Sequence, residues 1–300
     1  MTTITASAVK ELREITGVAM MDCKKALVET NGNMEEAKDF LRKKGQAKAL
    51  KKSSRETREG AVGFSSSKDG KTAGLVQVTC ETDFVARNEK FQDFINKLAL
   101  QVSVNGENDL LQQSLINGEG NVEGMLTDTI AELGENMQIL NCKKFKINNG
   151  LIGGYIHSNG KIGVAVPLET DQPCYGDQLK SLAKDIAMHI AASKPLYINE
   201  DNVSKEVLDK EREIYVAQAK ESGKPEEIIK KMVDGRIKKY IKEITLLGQA
   251  FVKDPDQSIE RILKSAEANV LSFIRYEVGE GIEKRSDNFA EEVMSQAKGD

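Results

Sequence analysis

The chain has 300 residues, of which 39% are hydrophobic and 30% charged, and its formal net charge at pH 7 is −4. This composition can form buried cores, which excludes a disordered chain, and its slight acidity argues against nucleic-acid binding over the whole surface. The length predicts about two or three domains. Since the apolar runs are too short for a membrane span and the first residues lack a secretory-signal pattern, we expect a cytoplasmic protein without direct nucleic-acid or membrane contacts.

Cysteine and histidine are too sparse to indicate a metal site or a hydrolytic enzyme. Four cysteines stand far apart in the chain: Cys23, Cys80, Cys142 and Cys174. Without a C-x-x-C pair, they are best interpreted as buried free thiols in a reducing compartment. The two histidines, His157 and His189, lie outside any known nucleophile or zinc motif. The sequence therefore predicts no catalytic residue, no metal and no cofactor.

Residues 1–45 are predicted to form three short helices. Thr5 can cap the first helix. Asn33 and Glu36 resemble a capping box that opens the third helix, and we expect Gly45 to end it. A bundle this small is marginally stable on its own, so we interpret it as a docking module.

Residues 46–59 form a basic run without an apolar stripe. Its positive side chains are Lys48, Lys51, Lys52, Arg55 and Arg58. A solvated linker or an extension of the preceding helix is the simpler interpretation. An electrostatic tether toward an acidic partner is the alternative.

Beyond the basic run, the hydrophobic period changes from helical to alternating, which indicates strands. Two strands joined at Asp69-Gly70 form a predicted hairpin. A helix from about Asn88 to Val104 follows, and a strand near 137–147 completes a first core subdomain at 60–148.

The same arrangement recurs in residues 149–202 and 246–281. A hairpin that turns at Gly160-Lys161 precedes a helix at about 176–192, and a late strand is predicted at about 270–278. The two copies predict duplicated α+β subdomains.

Shared motifs support the duplication. Gly70 and Gly160 lie 90 positions apart, and the Glu-Thr-Asp tripeptides at 81–83 and 169–171 lie 88 apart. The copies diverge after the tripeptide, where Phe84 has Gln172 as its predicted counterpart.

Residues 203–245 are predicted to be an inserted antiparallel helical hairpin. Pro225 suits the first turn of its second helix. An apolar stripe of coiled-coil spacing follows: Ile229, Val233, Ile237, Tyr240 and Ile244. Residues 282–300 are predicted to form a C-terminal module with a capped helix.

The segment SSSKDGKT resembles a nucleotide-binding P-loop. Such a loop needs glycine where Ser65 stands, and it needs a helix after the lysine, whereas a strand pattern follows here. We therefore interpret Gly70 and Lys71 as turn residues.

The segment CETDFVARN allows two interpretations. Thr82 and Asp83 can both cap a helix, and Phe84 would ordinarily be a core residue. However, an acidic residue beside a large aromatic one at a strand-to-helix turn also suits insertion into the cleft of a partner.

Six segments spread over almost the whole chain carry a family resemblance. They are TGVAMMDCKKAL (16–27), CETDFVARN (80–88), IHSNGKIGV (156–164), MHIAASKP (188–195), SGKPEEII (222–229) and FIRYEVGEGIEK (273–284). Together they resemble the elongation factor Ts family, the guanine-nucleotide exchange factors of elongation factor Tu. The resemblance implies a ubiquitin-associated-like (UBA-like) three-helix domain, a two-part core, a helical hairpin used in homodimerisation and a C-terminal module.

The resemblance also implies functional residues. The family's Thr-Asp-Phe-Val motif, here Thr82, Asp83, Phe84 and Val85, is associated with displacing magnesium from the partner. His157 is similar to a family contact position, whereas we interpret His189 as structural.

Two other classes remain open on the sequence. A scaffold without exchange activity would use the bundle and the hairpin for assembly, and a phosphate-binding enzyme is disfavoured by the broken P-loop. Release of labelled GDP from elongation factor Tu, with and without this chain, separates all three.

Overall fold

The structure is a computed structural model, and it describes residues 4–16, 18–171, 176–221 and 223–280. The predicted helix within 282–300 lies outside these residues, and so do Gln172 and Cys174. The described part combines helices with antiparallel sheets, which confirms the predicted α+β class. No helix in this part is both long and apolar enough to cross a membrane.

Three helices open the described part, as predicted. They are α1 (Ala6–Thr16), α2 (Met20–Glu29) and α3 (Met34–Lys52). Asn33 caps α3, since its side-chain oxygen accepts hydrogen bonds from the backbone N–H groups of Glu35 and Glu36 at 3.1 and 3.3 Å. The three helices share one small apolar core, in which Leu12 and Leu27 are fully buried.

A three-stranded sheet and its helices follow. The elements are β1 (Glu59–Ser66), β2 (Thr72–Cys80), α4 (Asp83–Ala86), α5 (Glu89–Asn105), α6 (Val122–Leu133) and β3 (Met137–Lys146). The strands are antiparallel in the order β1-β2-β3, with β1 and β2 joined by the predicted turn at Asp69-Gly70. The apolar face of α5, including Phe91 and Leu98, covers the sheet and is buried as predicted.

Helix α3 runs past Gly45 to Lys52, so the prediction that Gly45 ends it was wrong. Gly45 lies close to α6, because a Cβ atom at this position would stand 3.5 Å from the Cβ atom of Ala131. Ala49, one turn further, packs against the core of the first sheet. This packing outweighs the low helix propensity of glycine, which costs only about 1 kcal/mol. The first half of the predicted basic linker is therefore helix.

The second half of the chain contains a second sheet, a helical hairpin and short elements. They are β4 (Gly150–Ile156), β5 (Ile162–Thr170), α7 (Asp177–Ser193), α8 (Lys205–Lys220), α9 (Glu226–Ile244), β6 (Ala250–Phe251), β7 (Asp254–Ser258), α10 (Ile259–Ser265), β8 (Ala268–Val270) and β9 (Ile274–Glu277). Strand β5 is central, with β4 on one edge and both β8 and β9 on the other.

The prediction of a single late strand at 270–278 was wrong, because the structure has two short strands there, β8 and β9. Strand β8 pairs with β5 at Leu168–Thr170, and β9 pairs with β5 at 162–165. Pro167 lies between these two stretches, and proline has no N–H group to donate to a neighbouring strand. The ladder is interrupted at the proline, where Leu271 only donates its N–H to the Pro167 carbonyl.

The two sheets repeat one plan with a local difference in length. Gly60 pairs with Thr79 and Gly150 pairs with Glu169, which places the hairpins 90 positions apart. Helices α5 and α7 begin 88 positions apart. The connection from hairpin to helix is thus two residues shorter in the second half, and Gln172, the predicted counterpart of Phe84, lies in this connection outside the described residues.

The sheets pack face to face through an apolar layer. The ring of Phe64 on β1 lies against Gly154 on β4, where a Cβ atom would stand 2.2 Å from the ring. Two backbone hydrogen bonds, each of 2.8 Å, link the sheets reciprocally: Val62 N–H donates to Gly160, and Ile152 N–H donates to Gly70. Each hairpin turn is therefore held by the first strand of the other hairpin.

Helices α8 and α9 form the predicted antiparallel hairpin. Arg212 on α8 forms an ion pair of 2.6 Å with Asp234 on α9. Val233 and Ile237 are buried in the seam as predicted, whereas Tyr240 is only half-buried. Pro225 occupies the N-cap position with an extended ψ of 147°, and therefore precedes the first turn in which it was predicted.

Candidate functional site

A short helical turn, α4, projects from the edge of the first sheet. Thr82 caps it as predicted: its hydroxyl oxygen accepts a hydrogen bond of 3.3 Å from the backbone N–H of Val85. Val85 is half-buried against the core of the first sheet, and Ala86 is buried within it. One side of the turn is thus anchored, and the other side is presented to solvent.

Two glutamates attach this turn to the start of β3. Glu135 accepts two hydrogen bonds from Thr82, one from its backbone N–H at 2.9 Å and one from its hydroxyl at 2.6 Å. In return, Glu81 accepts a hydrogen bond of 2.6 Å from the backbone N–H of Asn136. Hydrogen bonds to charged groups are stronger than those between neutral groups. The bonds therefore hold α4 in one orientation.

Sequence reasoning missed Glu135, because it belongs to no motif and lies 53 residues from Thr82. The pairing of Cys80 with Met137 at the end of the sheet brings the two segments together. A strand register would have been needed to find this contact from the sequence.

Phe84 is 83% exposed, which excludes the interpretation that it is a core residue. Its exposed fraction is higher than that of Leu50 at 76% or Met21 at 66%. Burying such a side chain against another protein is worth about 2–3 kcal/mol. The ring is therefore available as an anchor for a partner.

Asp83, the first residue of α4, is not isolated. Its carboxylate lies 3.0 Å from the guanidinium of Arg87, one turn further along, and the side chains are 41% and 80% exposed. An exposed pair at this spacing contributes about 0.5 kcal/mol at most. A partner can therefore displace Arg87 at little cost.

His157 lies exposed on the turn between β4 and β5. Its Nδ1 atom is 3.1 Å from the hydroxyl of Tyr155. The same turn reaches the first sheet, where Lys161 forms an ion pair of 2.5 Å with Glu59. Since Glu59 pairs with Cys80 at the end of β2, the structure brings the His157 turn to the end of the first sheet from which α4 projects.

His189 is fully buried, which confirms that it is structural. Its Nδ1 atom lies 3.2 Å from the backbone nitrogen of Val252 and accepts that N–H. Its Nε2 atom lies 2.9 Å from the side-chain oxygen of Gln249, so the neutral form with hydrogen on Nε2 satisfies both contacts. Burial lowers the pKa of His189, although the bond to Gln249 opposes the shift.

The described residues contain no cluster of three or more side chains suited to hold a metal ion. Cys80 is buried, and the burial raises the pKa of its thiol to about 12. Since the thiolate is the reactive form, Cys80 is not a nucleophile near neutral pH.

Comparison with known proteins identifies relatives over the whole length. The family described as "Elongation factor TS" matches residues 81–280. The chain is 54% identical over 299 residues to elongation factor Ts of Thioalkalivibrio sulfidiphilus, with 99% of each chain covered. It is 50% identical over 303 residues to elongation factor Ts of Clostridium novyi, with 98% of each covered. The Legionella pneumophila (strain Lens) protein is 48% identical over 301 residues, covering 99% of this chain and 100% of the relative.

Proposed function

Because this chain belongs to the elongation factor Ts family, we propose that it binds elongation factor Tu in its GDP-bound and nucleotide-free forms and promotes the exchange of GDP for GTP. The observation that carries the proposal is the exposed ring of Phe84, presented on a turn that Thr82 caps and Glu135 holds. The chain acts by binding, without covalent chemistry.

The proposed mechanism follows from thermodynamic linkage. A protein that binds the nucleotide-free partner more tightly than the nucleotide-bound one weakens nucleotide binding by the same coupling free energy. It lowers the barrier to nucleotide release through a ternary intermediate, and it leaves the overall nucleotide equilibrium unchanged.

In the proposed mechanism, the neighbouring side chains of Asp83 and Phe84 have different roles. Phe84 enters an apolar cleft of the partner as a wedge, and the anchored Val85 keeps the turn attached to the core. When the partner binds, the weak ion pair between Asp83 and Arg87 breaks. The negative charge of Asp83 then disturbs the magnesium and phosphate site of the partner. His157 adds a contact from the turn that reaches the same end of the sheet.

The remaining parts supply separate surfaces. The UBA-like bundle at 1–45 docks on the partner and strengthens the complex, and the hairpin at 203–245 serves homodimerisation. Replacing the hairpin by a short Gly-Ser loop lowers the oligomeric mass in sedimentation and largely preserves nucleotide release. A loss of exchange at unchanged mass would contradict this assignment.

Release of labelled GDP from elongation factor Tu tests the function. The wild-type chain accelerates release, and Phe84→Ala removes most of that acceleration. Val104→Ala is a matched control, because Val104 is 51% exposed and lies at the far end of α5. Equal release with and without the chain would favour the scaffold that lacks exchange activity.

A further inference from the structure

A cleft lies between the turn of the first hairpin and helix α7. Its volume is about 640 Å³, which is within the range of small-molecule sites. Backbone from β4, including Gly153 and Gly154, and the ring of Phe64 form its apolar part. Its polar rim is formed by residues of the turn and of α7: Ser66, Ser67, Lys68, Asp69, Lys71, Lys180 and Lys184.

The rim is strongly basic although the whole chain is acidic. Four lysines and one aspartate give it a formal charge of +3, against −4 for the chain. Asp69 is occupied within the turn: its carboxylate accepts hydrogen bonds from the Ser67 hydroxyl at 2.5 Å and from the Lys71 backbone N–H at 3.0 Å.

The lysines themselves are largely unpaired. Lys180 lies 3.8 Å from Asp177, which is almost fully exposed. Among the described residues, none of the ion pairs within 4.0 Å involves Lys68, Lys71 or Lys184. The positive charge of the rim is therefore available to a ligand.

The repeated plan of the fold provides an internal comparison. Gly63 packs on Ile95 of α5, and Gly153 packs on Ala183 of α7. These equivalent contacts relate the helices by 88 positions, so Lys180 and Lys184 correspond to neutral residues of α5: Gln92 and Asn96.

The turns differ in the same way. With the hairpins 90 positions apart, Lys68 corresponds to Ser158, and Lys71 corresponds to Lys161, which is paired with Glu59. The shared fold therefore does not require Lys68, Lys180 or Lys184, and at the position of Lys71 it does not require an unpaired lysine. Like charges one helical turn apart are slightly destabilising, so the presence of Lys180 and Lys184 on α7, without counterparts on α5, indicates a binding role.

We propose that this cleft binds a small polyphosphate anion, a molecule that carries two or more linked phosphate groups. Lysine ammonium groups are compact donors suited to phosphate oxygens, and the cleft has room for such a molecule. The site differs from a P-loop, because Gly70 lies in a hairpin turn with φ of +69° and β2, a strand, follows it.

An acidic peptide fits the cleft less well. A peptide that adds a strand needs free backbone groups at a sheet edge. Ile152, on the edge strand β4, already donates its outward N–H to the Gly70 carbonyl at 2.8 Å. Recognition is left to the lysines, which favours a compact and highly charged ligand.

The cleft is also separate from the surface around α4. Strand β1 has eight residues, which span roughly 25 Å at about 3.3 Å per residue. The cleft lies at the Ser66 end of β1, and α4 lies beside the other end, where Glu59 pairs with Cys80. A polyphosphate can therefore bind while Phe84 contacts another protein.

Calorimetric titration of the full chain with sodium tripolyphosphate tests the proposal. We expect one saturable site whose affinity falls as NaCl is raised. The double variant Lys180→Gln/Lys184→Gln should bind at least about tenfold more weakly, equivalent to about 1.4 kcal/mol. Its control is Lys238→Gln/Lys242→Gln, which removes two exposed lysines of the same spacing from α9.

A further variant keeps the test independent of helix α7. Lys68→Gln lies on an exposed turn and should also weaken binding, with an unchanged melting temperature. The proposal is overturned if no saturable binding occurs below about 1 mM, or if the control pair weakens binding as much as the cleft pair. Tighter binding of an oligo-aspartate peptide or an RNA oligonucleotide through the same lysines would overturn the ligand class.

Discussion

The carboxylate of Glu135 holds Thr82 by two hydrogen bonds, of 2.9 Å to its backbone N–H and 2.6 Å to its hydroxyl. The hydroxyl of Thr82 in turn accepts the N–H of Val85. The capping residue of α4 is thereby oriented by a side chain from a distant part of the chain. The exposed Phe84 is presented on a turn whose backbone is fixed before any partner binds, which reduces the entropy lost on binding.

Glu135→Ala should slow GDP release although Glu135 does not belong to the exposed surface around Phe84. Loss of hydrogen bonds to a charged group costs about 1.5–3 kcal/mol, and α4 then samples other orientations. Glu135→Gln keeps one acceptor oxygen and should restore part of the activity.

A double-mutant cycle with Phe84→Ala checks this positioning role through GDP-release rates. If Glu135 acts through the orientation of Phe84, the double variant loses little more than Phe84→Ala alone. Fully additive losses would show that Glu135 acts elsewhere.

Phe84→Ala should leave the stability of the chain unchanged and impair exchange. Because the side chain is 83% exposed, its removal should change the free energy of unfolding by no more than about 0.5 kcal/mol. The loss of a desolvated aromatic anchor costs about 2 kcal/mol, or roughly thirtyfold in GDP release. Melting temperature and GDP release are measured on the same protein, and unchanged release from a folded variant would refute the wedge.

Asp83→Asn should have a smaller effect that depends on magnesium. Raising magnesium should slow exchange by the wild type, because the ion is what the carboxylate opposes, and this sensitivity should be weaker in the variant. Arg87→Gln is the informative control, since it removes the partner of Asp83 but keeps the carboxylate. Exchange by Arg87→Gln should remain sensitive to magnesium. If this variant also loses the sensitivity, the magnesium dependence belongs to the ion pair and not to the carboxylate alone.

The stability of the chain should fall as the pH is lowered from about 6.5, in part through His189. Burial lowers the pKa of His189 in the folded state, so the unfolded chain takes up a proton in a pH range where the folded chain does not. The stability that neutral His189 contributes is fully present above its pKa in the unfolded chain, about 6.5, and it is lost as the pH falls toward the lower pKa in the folded chain. The free energy of unfolding changes by no more than about 1.4 kcal/mol per pH unit in this range.

Urea unfolding at several pH values measures this contribution. His189→Gln should flatten the dependence in that range, even though the variant is less stable overall. His157→Gln is the matched control, because the side chain of His157 is exposed. An unchanged slope in His189→Gln would assign the pH dependence to other groups.

Local sequence alone determined most of the elements and several of their caps and turns. The caps at Asn33 and Thr82, the turn at Asp69-Gly70 and the buried face of α5 depend on residues a few positions apart. Short-range hydrogen bonding and helical periodicity therefore suffice to predict them. The candidate segment at 82–85 was also selected from the sequence, through its resemblance to a family.

Tertiary packing decided what lies between these elements. Gly45 remains helical because α6 packs against it, and Glu135 reaches Thr82 only through the pairing of β2 with β3. The exposure of Phe84 had no local signal, since an aromatic residue after a capping residue is ordinarily core. Whether it is buried depends on which surfaces remain uncovered once the sheets and helices have packed, and that is set by contacts between residues far apart in the chain.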